Sequence, residues 1–193
     1  MDRDADARID LALVKRALLE DDRQAFEQLV RRHQGLVRAQ LRRLCSGDAA
    51  LADDLAQDTF LLAWRKLSSF RGESRFATWL FRIAHNCFLQ SHRRHPSMSV
   101  QPAPADNGQD DLPAHGGAPP DLQLDLQRAL QRLPEGERLV LLYHAQMGLS
   151  HEETAQITGF PLGTVKTHAL RGKARMRTWL EAYGYGQTTG THP

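Results

Sequence analysis

The sequence predicts an all-α protein built as two small helical domains joined by a flexible, proline-rich linker. Three observations carry that expectation. Apolar residues recur at three- and four-residue spacing over most of the chain, which gathers them on one face of a helix, and no run alternates as a half-buried strand would. Residues 96–120, PSMSVQPAPADNGQDDLPAHGGAPP, hold six of the nine prolines and three glycines, with only Met98, Val100 and Leu112 as larger apolar residues. Such a segment has no face to bury and reads as an extended linker. Finally, Ser150 to Leu180 lines up a capped short helix, a Gly-Phe-Pro turn and a long basic helix, the order of a helix-turn-helix.

The elements follow in order. A first helix is expected from about Ile9 to Leu19, within an N-terminal extension of residues 1–21. Asp22 can cap a second, whose apolar face is Phe26, Leu29, Val30, His33, Val37, Leu41 and Leu44, with Ser46-Gly47 as its stop. Asp48 can cap a third running to about Leu67, with Ala52, Leu55, Ala56, Phe60, Leu62, Ala63 and Leu67 inward. Residues 68–74 form a loop, and a fourth helix spans about Arg75 to Arg94, burying Phe76, Leu80, Ile83, Ala84 and Cys87. Residues 22–95 thus make one domain and 121–183 the other. In the second, Asp121 can cap a helix to Arg132, and Pro134 can open another that ends at Gly148. Ser150 and Glu153 form an S-x-x-E capping box, so a helix starts at His151. Gly159 and Pro161 stop it after about two turns, and the last helix runs from about Leu162 to Leu180. The tail, residues 184–193, is expected to be disordered.

Composition narrows the function. The 193 residues have a net charge of only +2, but the charge is segregated. Residues 1–95 carry 17 Lys/Arg against 13 Asp/Glu, whereas residues 96–121 carry four acids and no Lys or Arg. Local basic stripes on a nearly neutral chain suit selective contact with DNA better than bulk polyanion binding. The acidic N-terminus lacks the apolar stretch of a signal peptide, and no run approaches the roughly 18 apolar residues of a membrane span, so a cytoplasmic protein without membrane insertion is expected. Cys45 and Cys87 sit among apolar helical positions and read first as buried thiols, with a disulfide or redox switch as the second reading; there is no C-x-x-C pair to hold zinc.

The last helix names a ligand class. Lys166, Arg171, Lys173, Arg175 and Arg177 lie within one twelve-residue run without an acid. Val165, Ala169, Gly172, Met176 and Leu180 recur at helical spacing as the buried stripe, which leaves Thr164, Thr167, His168, Arg171 and Arg175 on the open face. In such a motif the second helix enters the major groove of duplex DNA, where hydroxyls and Arg read base edges and Lys holds phosphates.

Two further segments complete a constellation. DLAQDTFLLAW, residues 54–64, sets Asp54, Gln57, Asp58 and Leu61, with the following Arg65, on the face of the third helix opposite its apolar stripe, with Phe60 and Trp64 in register. Acids and an amide placed this way suit docking on the basic side chains of a partner helix. From Arg65 to Arg94 there are seven Lys/Arg against one acid, Glu73, interleaved with Phe70, Phe76, Trp79, Phe81 and Phe88. Cations that hold phosphates and aromatics that stack on unpaired bases suit a single strand, although Phe76, Trp79 and Phe81 are expected to be packing residues.

With these parts in order, the chain resembles the extracytoplasmic-function group of bacterial sigma factors, in the sigma-70 family. Residues 54–64 look like the family's core-polymerase-binding motif. FRGESRFATWLFRIAHN, residues 70–86, looks like the segment that opens and reads the −10 element. Leu133-Pro134 and GTVKT, residues 163–167, look like the fourth region, which reads the −35 element. The likeness spans about residues 22–95 and 121–181.

The resemblance implies specific roles. Asp54, Gln57, Asp58, Leu61 and Trp64 would bind core RNA polymerase at the β′ clamp helices, with the β subunit as a further contact. Arg65, Phe70, Arg71, Ser74, Arg82, His85, Asn86 and Arg93 would contact −10 DNA, the loop 70–74 capturing a flipped base. Thr164, Lys166, Thr167, His168, Arg171 and Arg175 would read the −35 duplex. The linker would thread the polymerase cleft, and an anti-sigma factor would hold the protein inactive. Neither cofactor nor small-molecule substrate is implied. Departures from the family pattern, with His168 and Gly172 where Arg and Ala are more frequent and Leu162 in place of an acid or Val, prevent any promoter sequence from being carried over.

Two other classes are distinguishable. A polymerase-independent helix-turn-helix regulator would bind duplex operators, usually as a two-fold dimer, but leaves residues 54–64 without a purpose. An enzyme would need a site. His85, Cys87 and His92 are the nearest approach to a metal set, yet their spacing does not put all three on one helix face, and no nucleotide loop or nucleophile motif occurs.

Overall fold

The computed structural model describes residues 3–45, 48–94 and 120–182, which fall into two compact units, Met1–Leu112 and Pro113–Pro193. The expected stop at Ser46-Gly47, the linker up to residue 119 and the tail from 184 lie outside the described residues. Every regular element among the described residues is helical.

The first unit packs α1 (Arg3–Leu19), α2 (Arg23–Leu44), α3 (Ala49–Lys66) and α4 (Phe76–Arg94), with a 3₁₀ turn at Leu67–Ser69. The capping signals act as expected. Asp22 accepts from the N–H groups of Gln24 and Ala25, and Asp48 accepts from that of Leu51 at 3.0 Å. Each cap satisfies donors that a helix start leaves unpaired and stabilises it by about 1 kcal/mol. The first helix begins earlier than expected, at Arg3 rather than Ile9. Its added turns carry Asp6, which binds Arg32 at 3.0 Å, a tertiary contact that apolar periodicity does not register.

α2 is the central helix and packs on the other three. Leu29, Val37 and Leu41 on α2, Ala52 and Ala63 on α3, and Leu80 and Ala84 on α4 are fully buried. Each enclosed Leu contributes about 1.5–3 kcal/mol, and the alanines of α3 let its neighbours approach closely. Polar residues join this core too, among them Gln40 and Thr59, each with a hydrogen-bond partner. Gln40 donates from Nε2 to the Phe81 carbonyl at 3.0 Å, and the Thr59 hydroxyl donates to the Leu55 carbonyl at 2.7 Å.

The second unit comprises α5 (Pro120–Gln131), α6 (Glu135–Leu141), α7 (His151–Thr158) and α8 (Leu162–Ala182). α5 begins at Pro120, so Asp121 falls inside its first turn instead of capping it. Pro134 stands just outside α6 with extended backbone, and the expected helix to Gly148 loosens after Leu141 into a π-helical turn, Leu142–Gln146. That turn is closed from beyond. Leu149 donates its N–H to the Tyr143 carbonyl, and His144 donates from Nδ1 to the Leu149 carbonyl at 2.8 Å, which fixes the tautomer. Gly148, at φ 65°, turns the chain into α7.

Both halves of the capping box form at the start of α7: Glu153 donates its N–H to Ser150 Oγ at 3.0 Å, and Ser150 donates its N–H to Glu153 Oε2 at 2.9 Å. Gly159 ends the helix in the left-handed region, φ 76°. Val140, Val165 and Ala169 form the centre of this unit, flanked by Ala155 and Phe160, so α8 is held by α6 and α7 together. Gly172 is buried where α8 crosses α6.

Candidate nucleic-acid and partner interfaces

The face of α3 opposite its packed alanines is open. Asp54, Gln57 and Asp58 are exposed and make no hydrogen bond or ion pair with another described residue, and Leu61 is 57% exposed. Asp53, one position over, is by contrast tied to Arg38 of α2 at 3.3 Å. Trp64 lies at the edge of this face, 37% exposed, with its ring 4.8 Å from that of Phe26. The result is a solvated surface of two carboxylates, an amide, a leucine and an indole edge. Its acids sit unneutralised, which favours a cationic partner.

The loop between the 3₁₀ turn and α4 rests on an aromatic cluster. The Phe70 ring meets Phe76 edge-on at 5.4 Å and Trp79 at 5.5 Å, while Phe76 and Trp79 lie 5.5 Å apart. Such ring pairs contribute beyond their buried area. Of the three aromatics expected to pack, Phe76 and Phe81 are buried and Trp79 is half-buried, its ring against Phe70 and Phe76. Phe70 keeps an accessible edge, Arg71, Gly72 and Glu73 are exposed, and Gly72 adopts φ 75°. Ser74 is half-buried, its hydroxyl 3.4 Å from the Arg75 carbonyl.

α4 presents Arg82, Asn86 and Arg93 to solvent, with Arg65 exposed at the end of α3. His85 does not join them. It is 2% exposed, and burial lowers its pKa to about 4, so it is a neutral interior side chain at physiological pH. Of the four α4 residues expected at the −10 strand, His85 is thus enclosed in the helical core, while Arg82, Asn86 and Arg93 stay exposed.

On α8, Thr167 and Arg171 stand opposite the buried Val165–Ala169–Gly172 stripe, and Lys166 is exposed beside them. The Thr167 hydroxyl donates to the Gly163 carbonyl at 2.9 Å and keeps its lone pairs outward. Thr164 is half-buried. Two expected members of the face are otherwise engaged. His168 is half-buried: its ring lies close over Gly136 and 5.7 Å from Phe160, and its Nδ1 is enclosed with no hydrogen-bond partner among the described residues. Arg175 is exposed along its stem but brings Nε to 3.4 Å from Glu137, a carboxylate buried in α6.

Two residues outside the expected set belong to this surface. Leu170 is 72% exposed between Lys166 and Arg171, and an apolar side chain there suits a thymine methyl. His151 opens α7 with its ring stacked on His144 at 4.1 Å. Burial first, then the charges of His144, Lys166 and Lys173, hold its pKa below the ordinary value against the pull of Glu152. The α7 start and the Lys166–Lys173 flank of α8 thus lie close enough to act on each other electrostatically, with Glu152 offsetting part of the positive charge. Leu170 was visible in the helical spacing as a residue off the buried stripe; the His151 contact had no signal in the sequence.

Among the described residues, no helix is long and apolar enough to cross a membrane, and no group of three or more His, Cys, Asp or Glu could hold a metal. Burial raises the Cys45 thiol to about 12 and also raises Cys87, which favours the protonated thiol at both.

Comparison with known proteins agrees with this arrangement. Residues 29–97 match the Sigma-70 region 2 family, and residues 123–176 match Sigma-70 region 4. The chain is 36% identical over 181 residues to the ECF RNA polymerase sigma-E factor of Escherichia coli, covering 85% of this chain and 90% of the relative. It is 32% identical over 188 residues to the Haemophilus influenzae sigma-E factor, covering 92% and 98%. Two solved structures are similar. One is CnrH in complex with the cytosolic domain of CnrY (TM-score 0.66, 29% identity, 90% of this chain and 98% of that one). The other is the sigma factor RpoE in complex with the anti-sigma factor NepR from Bartonella quintana (TM-score 0.63, 30% identity, 81% and 96%). An open acidic face on α3, a cationic helix beside an aromatic loop, and a helix-turn-helix, carried on a chain this similar to sigma-E factors along nearly its whole length, place it in one family: it is a sigma factor of the extracytoplasmic-function group, in the sigma-70 family.

Proposed function

We propose that this sigma factor docks on core RNA polymerase through the open face of α3 and directs it to promoters by two DNA contacts. Asp54, Gln57, Asp58, Leu61 and Trp64 meet the basic clamp helices of the polymerase β′ subunit. The loop 70–74, with Arg65, Arg82, Asn86 and Arg93, takes the −10 non-template strand. Lys166, Thr167 and Arg171, flanked by Thr164 and Leu170, read the −35 duplex. Extruding a base costs a few kcal/mol, so melting depends on the assembled enzyme, and the sigma factor contributes recognition while the polymerase supplies catalysis. An anti-sigma factor covers the same faces when the protein is inactive, a reading supported by the likeness to RpoE bound to NepR.

The observation that carries this reading is the pair of unneutralised carboxylates, Asp54 and Asp58, beside an exposed Leu61 on a helix whose other face is packed. A solvated helix surface needs no exposed leucine and indole edge beside its acids; a docking surface does. The test is titration of labelled full-length protein into purified core polymerase without DNA. Saturable one-to-one binding is expected, weakened by Asp54→Ala and Gln57→Ala with helical content unchanged. Equal affinity in both variants would sink the interface assignment, and no binding by folded wild type would favour a polymerase-independent regulator.

A further inference from the structure

α1 precedes the segment matched by the region 2 family, which begins at residue 29, yet it touches the foundation of the 70–74 loop in two ways. The first runs through a buried polar pair. His33 of α2 lies 3.0 Å by Nε2 from Asp10 Oδ2 of α1, and both side chains are less than a tenth exposed. The carboxylate accepts, so Nε2 carries the proton. Arg32 donates from Nε to the other Asp10 oxygen at 3.0 Å and reaches Asp6 as well. Burial pushes the Asp10 carboxyl up, but the hydrogen bonds and charges of His33 and Arg32 outweigh it and leave it below the usual value. Among the described residues His33 Nδ1 is enclosed with no hydrogen-bond partner, so the bond to Asp10 is the polar contact that orients the plane of the ring.

That plane matters because of what rests on it. The His33 ring packs against Phe76 at 5.4 Å, and Phe76 in turn carries Phe70 and Trp79. The rings form one continuous path from the α1 carboxylate to the first residue of the loop. The second contact is direct: Leu11 of α1 reaches within 3.7 Å of the point where a Cβ on Gly72 would stand. Gly72 holds the left-handed turn that presents Arg71 and Glu73 to solvent. A core needing only bulk at position 33 would use a leucine, free to adopt other rotamers. A histidine tied to a buried, doubly bonded carboxylate holds one orientation, at the cost of desolvating that carboxylate.

We propose that α1 is part of the −10 reading apparatus, with His33, held by Asp10, and Leu11 acting as positioning residues that fix the 70–74 loop for single-strand capture. This rests on the assignment of that loop to the −10 strand made above. Neither residue touches DNA. His33 sets the aromatic floor under Phe70, and Leu11 backs the turn at Gly72, so the loop meets the strand preformed rather than ordering on contact, which spares the entropy of ordering.

The experiment uses holoenzyme assembled from the full-length protein and core polymerase. The probe is a fork-junction DNA whose single-stranded −10 segment has been selected from a random pool by wild-type holoenzyme, compared with a scrambled segment on the same duplex. His33→Ala and Leu11→Ala should each lower discrimination between the two strands by roughly three- to tenfold, the scale of one lost ring contact. Core-polymerase affinity and upstream duplex binding should be retained. His33→Gln, which keeps a donor toward Asp10, should recover part of the loss, a rescue that a role in bulk packing does not predict. Unchanged discrimination in His33→Ala and Leu11→Ala, while Phe70→Ala loses it, would overturn the positioning role and leave the loop assignment standing. Unchanged discrimination in Phe70→Ala as well would overturn both. A loss that merely tracks reduced core affinity would show that His33 and Leu11 serve only folding.

Discussion

Gly35 and Gly172 both sit inside long helices, and helix propensity alone says that alanine at either should stabilise by about 1 kcal/mol. The structure separates them. A Cβ on Gly35 meets nothing within 4 Å, so Gly35→Ala should realise the gain, roughly 0.5–1 kcal/mol. A Cβ on Gly172 would stand 3.0 Å from Leu141 Cδ1, 3.1 Å from its Cγ and 3.4 Å from Glu137 Cβ. Carbon pairs prefer about 3.5–4.0 Å, so the methyl group overlaps Leu141 by roughly half an ångström. Leu141 and Glu137 are each 4% exposed, so a shift away from the methyl group has to be made inside the packed unit. Overpacking of this kind costs about 1–3 kcal/mol, which outweighs the propensity gain and leaves Gly172→Ala destabilised by about 1 kcal/mol. Amide hydrogen exchange on the two full-length variants reads each unit by itself. Protection should rise in α2 for Gly35→Ala and fall in α6 and α8 for Gly172→Ala. A rise in α8 equal to that in α2 would refute the claim that α6 and α8 are packed to contact at this crossing.

Other substitutions separate reading from support. Arg171→Ala should cost roughly 1–3 kcal/mol at one position of the upstream element, measured by competition among single-base variants; an equal loss on every sequence would show a phosphate contact. Arg175→Ala should lower stability instead, by about 1 kcal/mol in urea titration at neutral pH, because Glu137 loses the cation beside its buried carboxylate, and Glu137→Gln in the same chain should recover it. His85 should make the first unit acid-sensitive. Its pKa is about 4 when folded and near 6.5 when unfolded, so the unfolded chain binds the extra proton between those values. The contribution is complete above about pH 6.5 and is lost as pH falls toward 4, amounting to roughly 2 kcal/mol between pH 7.5 and 5. His85→Gln should flatten that dependence, and an unchanged slope in urea midpoints would disprove it.

Much of this protein was legible from contiguous residues. Asp22, Asp48 and the Ser150–Glu153 box announced three helix starts, and each forms the predicted bonds. Gly159 announced a turn and adopts the left-handed backbone that glycine tolerates. The open faces of α3 and α8 followed from apolar spacing, because a helix's exposed side is the complement of its buried one. These signals act within one or two turns of chain and need no knowledge of the neighbouring element. What they could not settle is which polar side chain on a face meets another helix. His85, Asn86 and Arg82 all lie off the apolar stripe of α4, and only the packing of the folded unit buries the histidine and leaves the other two outside. His168 and Arg175 look like readers in a helical wheel, but α6 lies close enough to draw one over Gly136 and the other toward Glu137. Gly172 counts as a propensity defect in the sequence and becomes a close helix contact in the fold. The Asp10–His33 pair spans 23 residues, and no local period links them. Periodicity and capping are short-range physics carried by the chain itself; the engagement of individual polar groups depends on where separate helices cross, which no single stretch of sequence contains.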